Sequence, residues 1–480
     1  MGKQSIKRNY LYNTLFQMMS LLISLVTVPY VSRVLGAENI GKYSFANSIA
    51  SYFVMFAVFG SATFGTRQVS YSRDDKKRLT EDFWDVVSFR MITTILLLLS
   101  YYLYLYAFAG VTVLNMIISL NIFNVATDIT WLFQGIEDFR KIAVRNLSIK
   151  LLCTVMIFTL IKKPEQLNIY VFILCFATIL GNASMWIALS KIVDGPQKLH
   201  PFKNVKEMLM VFLPTIATQV YTVLDKSMIG IITGSDYENG CYEQAEQIAR
   251  VSLILVTSIG LVVLPRVGNL YKNKEINLAK EYIYKSYRFV WMLSLPMTAG
   301  LFGIAPVLVP VFLGSGFDGA IALLKIFAFL IVLVSLAHIT GISYLIPTEQ
   351  QNVYTIAVSA AAFVNFIMNL FLIKMFQARG AAVASISAEL LGLAIQLLYC
   401  FKTRQLDWRK VLFPAWKYLV ASIIMLMEIM LVRQLLPINI ISLVSLVICS
   451  VAVYFLVLFI MRDVFAVNIL QELRNKKLLR

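Results

Sequence analysis

Ten ionisable side chains lie inside runs that are otherwise apolar: Arg90, Asp128, Lys150, Asp225, Lys226, Glu246, Arg250, Lys325, Glu389 and Glu428. A charge at the centre of a bilayer costs at least about 2.5–3.5 kcal/mol on insertion scales, so each needs a partner or a water-filled cavity. In such a cavity Arg90, Lys150, Lys226, Arg250 and Lys325 suit an anionic group, the guanidinium offering a planar fork and the ammonium a point charge. The same cations could instead form ion pairs between helices or snorkel, and Lys325 lies near enough to the start of its run to reach the interface. Asp128, Asp225, Glu246 and Glu389 could line the cavity or hold a coupling proton or sodium ion.

Other chemistries find no support. The two histidines, His200 and His338, stand apart in a polar loop and an apolar run, with no ligand cluster around them. The five cysteines, Cys153, Cys175, Cys241, Cys400 and Cys449, are scattered singly in or beside apolar runs and read as small core residues. GAENIGKY at 36–43 has the spacing of a phosphate-binding loop, but Tyr43 stands where Ser or Thr would hold magnesium. Asp74 and Asp75 belong to the charged stretch SRDDKKRLTEDF, a solvated face. No cofactor is expected, and coupling to a proton or sodium ion is not required.

The elements that must position these charges are membrane spans. Apolar runs recur at 9–34, 43–70, 83–108, 111–134, 142–161, 169–190, 206–233, 241–267, 282–313, 319–346, 353–373, 380–401, 411–433 and 438–461. Each reaches the roughly 20 residues that cross about 30 Å of hydrocarbon. Composition agrees: 59% hydrophobic, 14% charged and a mean hydropathy of +0.75, against about 25% charged in soluble domains. The expected fold is all-α, about fourteen transmembrane helices.

The net charge of +17 follows from topology rather than from nucleic acid, since no basic soluble module exists to carry it. Of the 43 Lys and Arg residues, 30 fall in segments on the side of the two termini, 7 on the opposite side and 6 within spans. The positive-inside rule therefore puts both termini in the cytoplasm. The first run is too long for a signal peptide and has no small-residue cleavage site, so it is expected to be retained. The tail DVFAVNILQELRNKKLLR alternates apolar and basic residues as an interfacial helix would.

An internal repeat organises the spans. GKYSFANSIA at 41–50 and GCYEQAEQIA at 240–249 share Gly41/Gly240, Tyr43/Tyr242, Ala46/Ala245, Ile49/Ile248 and Ala50/Ala249, all at an offset of 199, and Arg67 matches Arg266 at the same offset. An even span thus maps onto an even span, giving parallel halves. The expected organisation is an N-terminal lobe at 1–204, a C-terminal lobe at 205–404, and an extra helix pair with a basic tail at 405–480. Arg67 and Arg266, where each copy enters a basic loop, are candidates for a cytoplasmic gate.

GKYSFA after the first span, TDITWLFQGIEDF at 127–139, LDKSMIG at 224–230 and GCYEQAEQIAR at 240–250 resemble the polysaccharide repeat-unit flippases of the multidrug/oligosaccharidyl-lipid/polysaccharide exporter superfamily. The resemblance covers the whole chain. It implies two pseudo-symmetric six-helix lobes in a V, and alternating access that moves an undecaprenyl-diphosphate-linked oligosaccharide from the cytoplasmic to the outer leaflet of a bacterial plasma membrane, for export of a capsule, exopolysaccharide or related polymer. It further implies membrane lipids, and polymerase and chain-length proteins of the same pathway, as partners. In related flippases of lipid-linked peptidoglycan precursor, the last helix pair helps form a groove for the lipid tail. The membrane potential favours expelling an anion by about 2.3 kcal/mol per charge per 100 mV, so two diphosphate charges gain roughly 4–5 kcal/mol. An ion-coupled antiporter of the drug-extrusion type competes with this reading, although it would normally need only twelve spans. A membrane glycan polymerase fits less well, because no large extracytoplasmic loop exists to house one.

Overall fold

The computed structural model describes residues 6–196, 198–463 and 465. Its elements are helical throughout. In chain order they are α1 (Ile6–Val58), α2 (Ser61–Ser72), α3 (Lys76–Tyr104), α4 (Val113–Ile118), α5 (Leu120–Thr127), α6 (Thr130–Gly135), α7 (Phe139–Leu160), α8 (Leu167–Ile187) and α9 (Val205–Thr233). There follow α10 (Asp236–Thr257), α11 (Gly260–Lys272), α12 (Ile276–Leu313), α13 (Asp318–Thr340), α14 (Gln351–Phe376), α15 (Ala378–Lys402), α16 (Trp408–Leu412), α17 (Ala415–Val432) and α18 (Ile440–Ile460). The interfacial helix expected of the tail falls, from residue 466 onward, outside the described residues.

Among the described residues, eleven segments are long and apolar enough to cross a membrane. The first, Leu22–Ser72, holds two expected spans, which part at Gly36, where φ of 76° breaks the helix inside α1. That left-handed conformation is open to glycine and strained for a residue with a Cβ. The expected seventh and eighth spans are present as α9 and as α10 with α11. Every expected span thus has a helix, and the protein is a multi-pass, all-helical membrane protein.

Contacts divide the chain into two compact units, residues 1–240 and 241–480. In the first, α2, α3, α6 and α8 close around Trp131, which is 1% exposed. Phe83 stacks on it with centroids 5.5 Å apart, an arrangement contributing about 0.5–1.5 kcal/mol beyond area burial. Gly65 lets α2 come this near, for a Cβ there would strike the indole. The fourth span is not one helix but three pieces. It breaks at Ser119 and again at Asp128 and Ile129, where Asp128 is extended. The Asp128 carboxylate accepts hydrogen bonds from the Thr130 amide at 2.9 Å and its hydroxyl at 2.6 Å, so a local turn competes successfully with the helix.

The repeat leaves a geometric trace in the first unit. A Cβ on Gly41 would overlap the Asp236 carbonyl oxygen, and one on Gly240 would overlap that of Ala37. Ala37 and Asp236 are themselves 199 apart, as are Gly41 and Gly240. The contact is therefore reciprocal, each glycine facing the carbonyl four residues before the other. Without a hydrophobic force between helices in lipid, such close backbone approach at small residues is a principal source of association.

In the second unit, α12 runs 38 residues through Pro296, Pro306 and Pro310. It packs against α13, α17 and α18. The α14–α15 hairpin turns at Gln377, φ 54°, and holds buried Asn365, Asn369 and Ser385 against one another.

Candidate functional site

In the first unit the membrane charges are built into the break of the fourth span. Arg90 on α3 is 2% exposed. Its Nη1 donates to the Asp128 carbonyl oxygen, an acceptor freed where α5 stops, and its Nη2 lies 3.8 Å from the Asp128 carboxylate. Trp131 Nε1 donates to that same carbonyl at 3.2 Å. Interrupted backbone at membrane depth must be satisfied by protein groups, and Arg90 does this.

Beside the break runs a set of neutral polar groups. Asn182 on α8, 1% exposed, donates to Thr127 Oγ1 at 3.0 Å and to the Asn124 carbonyl at 3.3 Å. Its own amide oxygen accepts from Arg145, whose Nη1 also donates to Asn146 at 2.8 Å. Trp186 Nε1 closes the group on the Thr127 carbonyl at 2.7 Å, and Asn121 reaches Asn47 of α1 at 3.2 Å.

The other expected residues of this unit are placed separately. Lys150 on α7 donates to Ser20 and Ser24 of α1 at 2.5 and 3.0 Å. Asp225 on α9 is buried, and the carbonyl of Lys226 accepts from Asn239 at 2.9 Å. Arg67 is exposed on α2, stacked 5.6 Å over Phe64. Near the N-terminal end of α8, a cavity of about 560 Å³ is lined by Asn39, Lys42, Tyr104, Asn115, Glu165 and Asp236. Burial raises the Asp236 carboxyl above its ordinary range, and Lys42 opposes the shift.

In the second unit the charges are more open. Arg250 donates to Glu246 through Nε at 3.0 Å and Nη2 at 2.5 Å; its side chain remains 51% exposed while that of Glu246 is 15% exposed. Lys325 sits 5.6 Å over the ring of Phe302, and Arg266 5.4 Å over Tyr282. Glu389 is half-buried on α15. Glu428 accepts from Ser450 at 2.9 Å, tying α17 to α18.

The helix pair α17–α18 forms one wall of an apolar cleft of about 450 Å³ against α12, lined by Pro296, Met297, Gly300, Met425, Val447 and Tyr454 among others. One end of the pair is anchored at Asp463, 2% exposed, which lies 3.9 Å from both Arg288 and Lys417 and accepts from Tyr418 at 3.3 Å.

The sequence pattern missed two cations that the structure makes important. Arg145 counts as a flanking loop charge by position, yet it is half-buried in the asparagine group. Lys417 lies within the thirteenth span. The neutral Asn121, Asn124 and Asn182 carry no charge to betray them, although Asn121 and Asn124 stand three apart in an apolar run, on one helix face.

The pattern of the polysaccharide biosynthesis protein family matches residues 6–271, more than half of the 480. The chain belongs to that family. Within the polysaccharide biosynthesis proteins, it is 25% identical over 422 residues to the "Putative O-antigen transporter" of Escherichia coli (strain K12), covering 83% of this chain and 97% of that one. It is 22% identical to a protein of the same name from Shigella dysenteriae, over 80% of this chain and 98% of the relative.

The fold of this polysaccharide biosynthesis protein is similar to that of the lipid II flippase MurJ in an inward closed conformation, with a TM-score of 0.74 at 14% identity, covering 95% of this chain and 99% of that one. It is also similar to an inward-facing multidrug resistance transporter of the MATE family, with a TM-score of 0.60 over 80% of this chain and 94% of the other, at 15% identity. The fold is thus shared with the MurJ flippase and with MATE transporters.

Proposed function

We propose that this protein is a flippase that carries an undecaprenyl-diphosphate-linked oligosaccharide from the cytoplasmic to the outer leaflet of a bacterial plasma membrane. The observation that carries the reading is the apolar cleft of α12, α17 and α18. Its wall of Met, Pro, Gly, Val and Ile side chains suits a polyprenyl tail, which contributes affinity in proportion to the apolar surface it contacts. A small soluble drug would leave most of such a cleft unused. The relatives named as O-antigen transporters support the same substrate class.

On this reading the diphosphate is met by Arg250, with Glu246 holding its guanidinium until the substrate competes for it. Lys325, above Phe302, can leave the ring for an anion. Lys226 and Lys150 are the further candidate cations of the first unit, and Asp225 and Glu389 are candidate coupling carboxylates. Arg67 and Arg266 guard the cytoplasmic face, on which both termini lie, and the lobes meet in sequence between residues 204 and 205. Deleting the protein should leave complete lipid-linked repeat units on the cytoplasmic leaflet and stop polymer export. A deletion strain that never makes the lipid-linked intermediate would reject transport in favour of synthesis.

A further inference from the structure

A second cleft, of about 710 Å³, opens between α7 and α8 and is lined by Asp138, Arg140, Lys141, Arg145, Ser184 and Leu180 among others. Its charge is unbalanced. The one carboxylate, Asp138, already accepts from the Lys141 amide at 3.4 Å, capping α7, and pairs with Lys141 Nζ at 3.1 Å. Arg140 and Arg145 meet no carboxylate within 4 Å among the described residues.

Arg145 spends its terminal nitrogens on the amide oxygens of Asn146 and Asn182, which leaves its charge uncancelled. Its Nε is buried without an acceptor, in a setting where an unmet N–H is costly. Gly181 on α8 permits the approach, because a Cβ there would lie 3.1 Å from that Nε and overlap Ile149. Beyond the cations the cleft turns apolar. Val144 and Leu152, two helical turns apart on α7, and Leu180 on α8 are all exposed along it.

We propose that this cleft binds the phosphodiester of an anionic phospholipid of the cytoplasmic leaflet. The phosphate is held by the uncancelled charges of Arg145 and Arg140, and an acyl chain follows Val144, Leu152 and Leu180. Basic pockets between spans at the cytoplasmic side suit such headgroups. A free phosphate would match the cations but leave the apolar wall bare, which is why the site is assigned to a lipid. The site lies apart from Arg250 and the α12–α18 cleft and does not depend on what the protein transports.

The test uses the full-length protein in a neutral detergent, titrated with phosphatidylglycerol, phosphatidylcholine or inorganic pyrophosphate, with thermal unfolding and native mass spectrometry as readouts. Phosphatidylglycerol should raise the melting temperature and be retained as a bound adduct, and the other two should not. Arg140→Gln/Arg145→Gln should weaken its binding by about tenfold or more, the loss expected when charge-assisted hydrogen bonds are removed. Because Arg145 also braces Asn182, two further variants keep the test decisive. The exposed Arg140→Gln alone should weaken binding, and Leu180→Trp should block the cleft with every charge in place. Undiminished phosphatidylglycerol binding in Arg140→Gln and Leu180→Trp, or equal stabilisation by pyrophosphate, would overturn the assignment.

Discussion

Arg90 in the first unit and Arg250 in the second are both membrane arginines with a carboxylate partner, and their surroundings differ in every other respect. Arg90 is 2% exposed and crosses to a different span, where it meets both the Asp128 carboxylate and a carbonyl freed by the broken helix. Arg250 is half exposed and pairs with Glu246 one turn away on its own helix. Opening the first pair takes a donor from a partly exposed carboxylate and from a carbonyl freed by the helix break. Opening the second leaves Arg250 within reach of any competing anion. We therefore assign Arg90 to the fold and propose the half-open pair as the one that exchanges partners during transport.

The sharpest way to break this contrast is Arg90→Ala. Arg90 donates a charge-assisted hydrogen bond to the freed Asp128 carbonyl, a kind of bond contributing about 1.5–3 kcal/mol, so the variant should show reduced protein in the membrane and a lowered melting temperature. A normal level and melting temperature, with export alone lost, would move Arg90 into the substrate site.

Arg250→Ala should do the opposite, abolishing export at normal protein level, with Arg250→Lys retaining a little. Glu246→Gln/Arg250→Gln removes both charges together and should stay inactive. Export measured near wild type in that double variant would make the pair structural. Smaller still is the effect expected of Gly300→Phe, which fills the α12–α18 cleft. A Cβ at Gly300 finds Met425 at an ordinary 3.6 Å, so the chain should fold. Export should fall by about tenfold, the equivalent of roughly 1.4 kcal/mol of tail binding, and an unchanged export rate would remove the tail from that cleft.

The same contrast explains what the sequence could and could not reveal. Each apolar run is helical, whole or in pieces, because span length and hydropathy are local properties that the bilayer imposes. The pair Glu246 and Arg250 was legible for the same reason, being four apart on one helix. Arg90 and Asp128 are 38 residues apart, and their meeting depends on how α3 packs against the broken fourth span. The break itself had a local signal, Asp128 followed by Thr130, hidden within an otherwise continuous apolar run. Arg145 was beyond reach, since what buries it is Asn182 on another helix and the missing side chain of Gly181. The reciprocal contact of Gly41 and Gly240 lay between these cases: the matched register marked the residues but not that they touch.

The central claim is the movement of a lipid-linked oligosaccharide, and reconstitution addresses it most directly. Proteoliposomes carrying an undecaprenyl-diphosphate-linked oligosaccharide in both leaflets should be treated with a membrane-impermeant glycan-cleaving enzyme. With the wild-type protein, cleavage should proceed past the outer-leaflet half to near completion, while Arg250→Ala vesicles stop at the half cleaved in protein-free controls. Wild-type vesicles that also stop at half, yet accumulate a small cationic drug under an ion gradient, would contradict the flippase account and favour the antiporter.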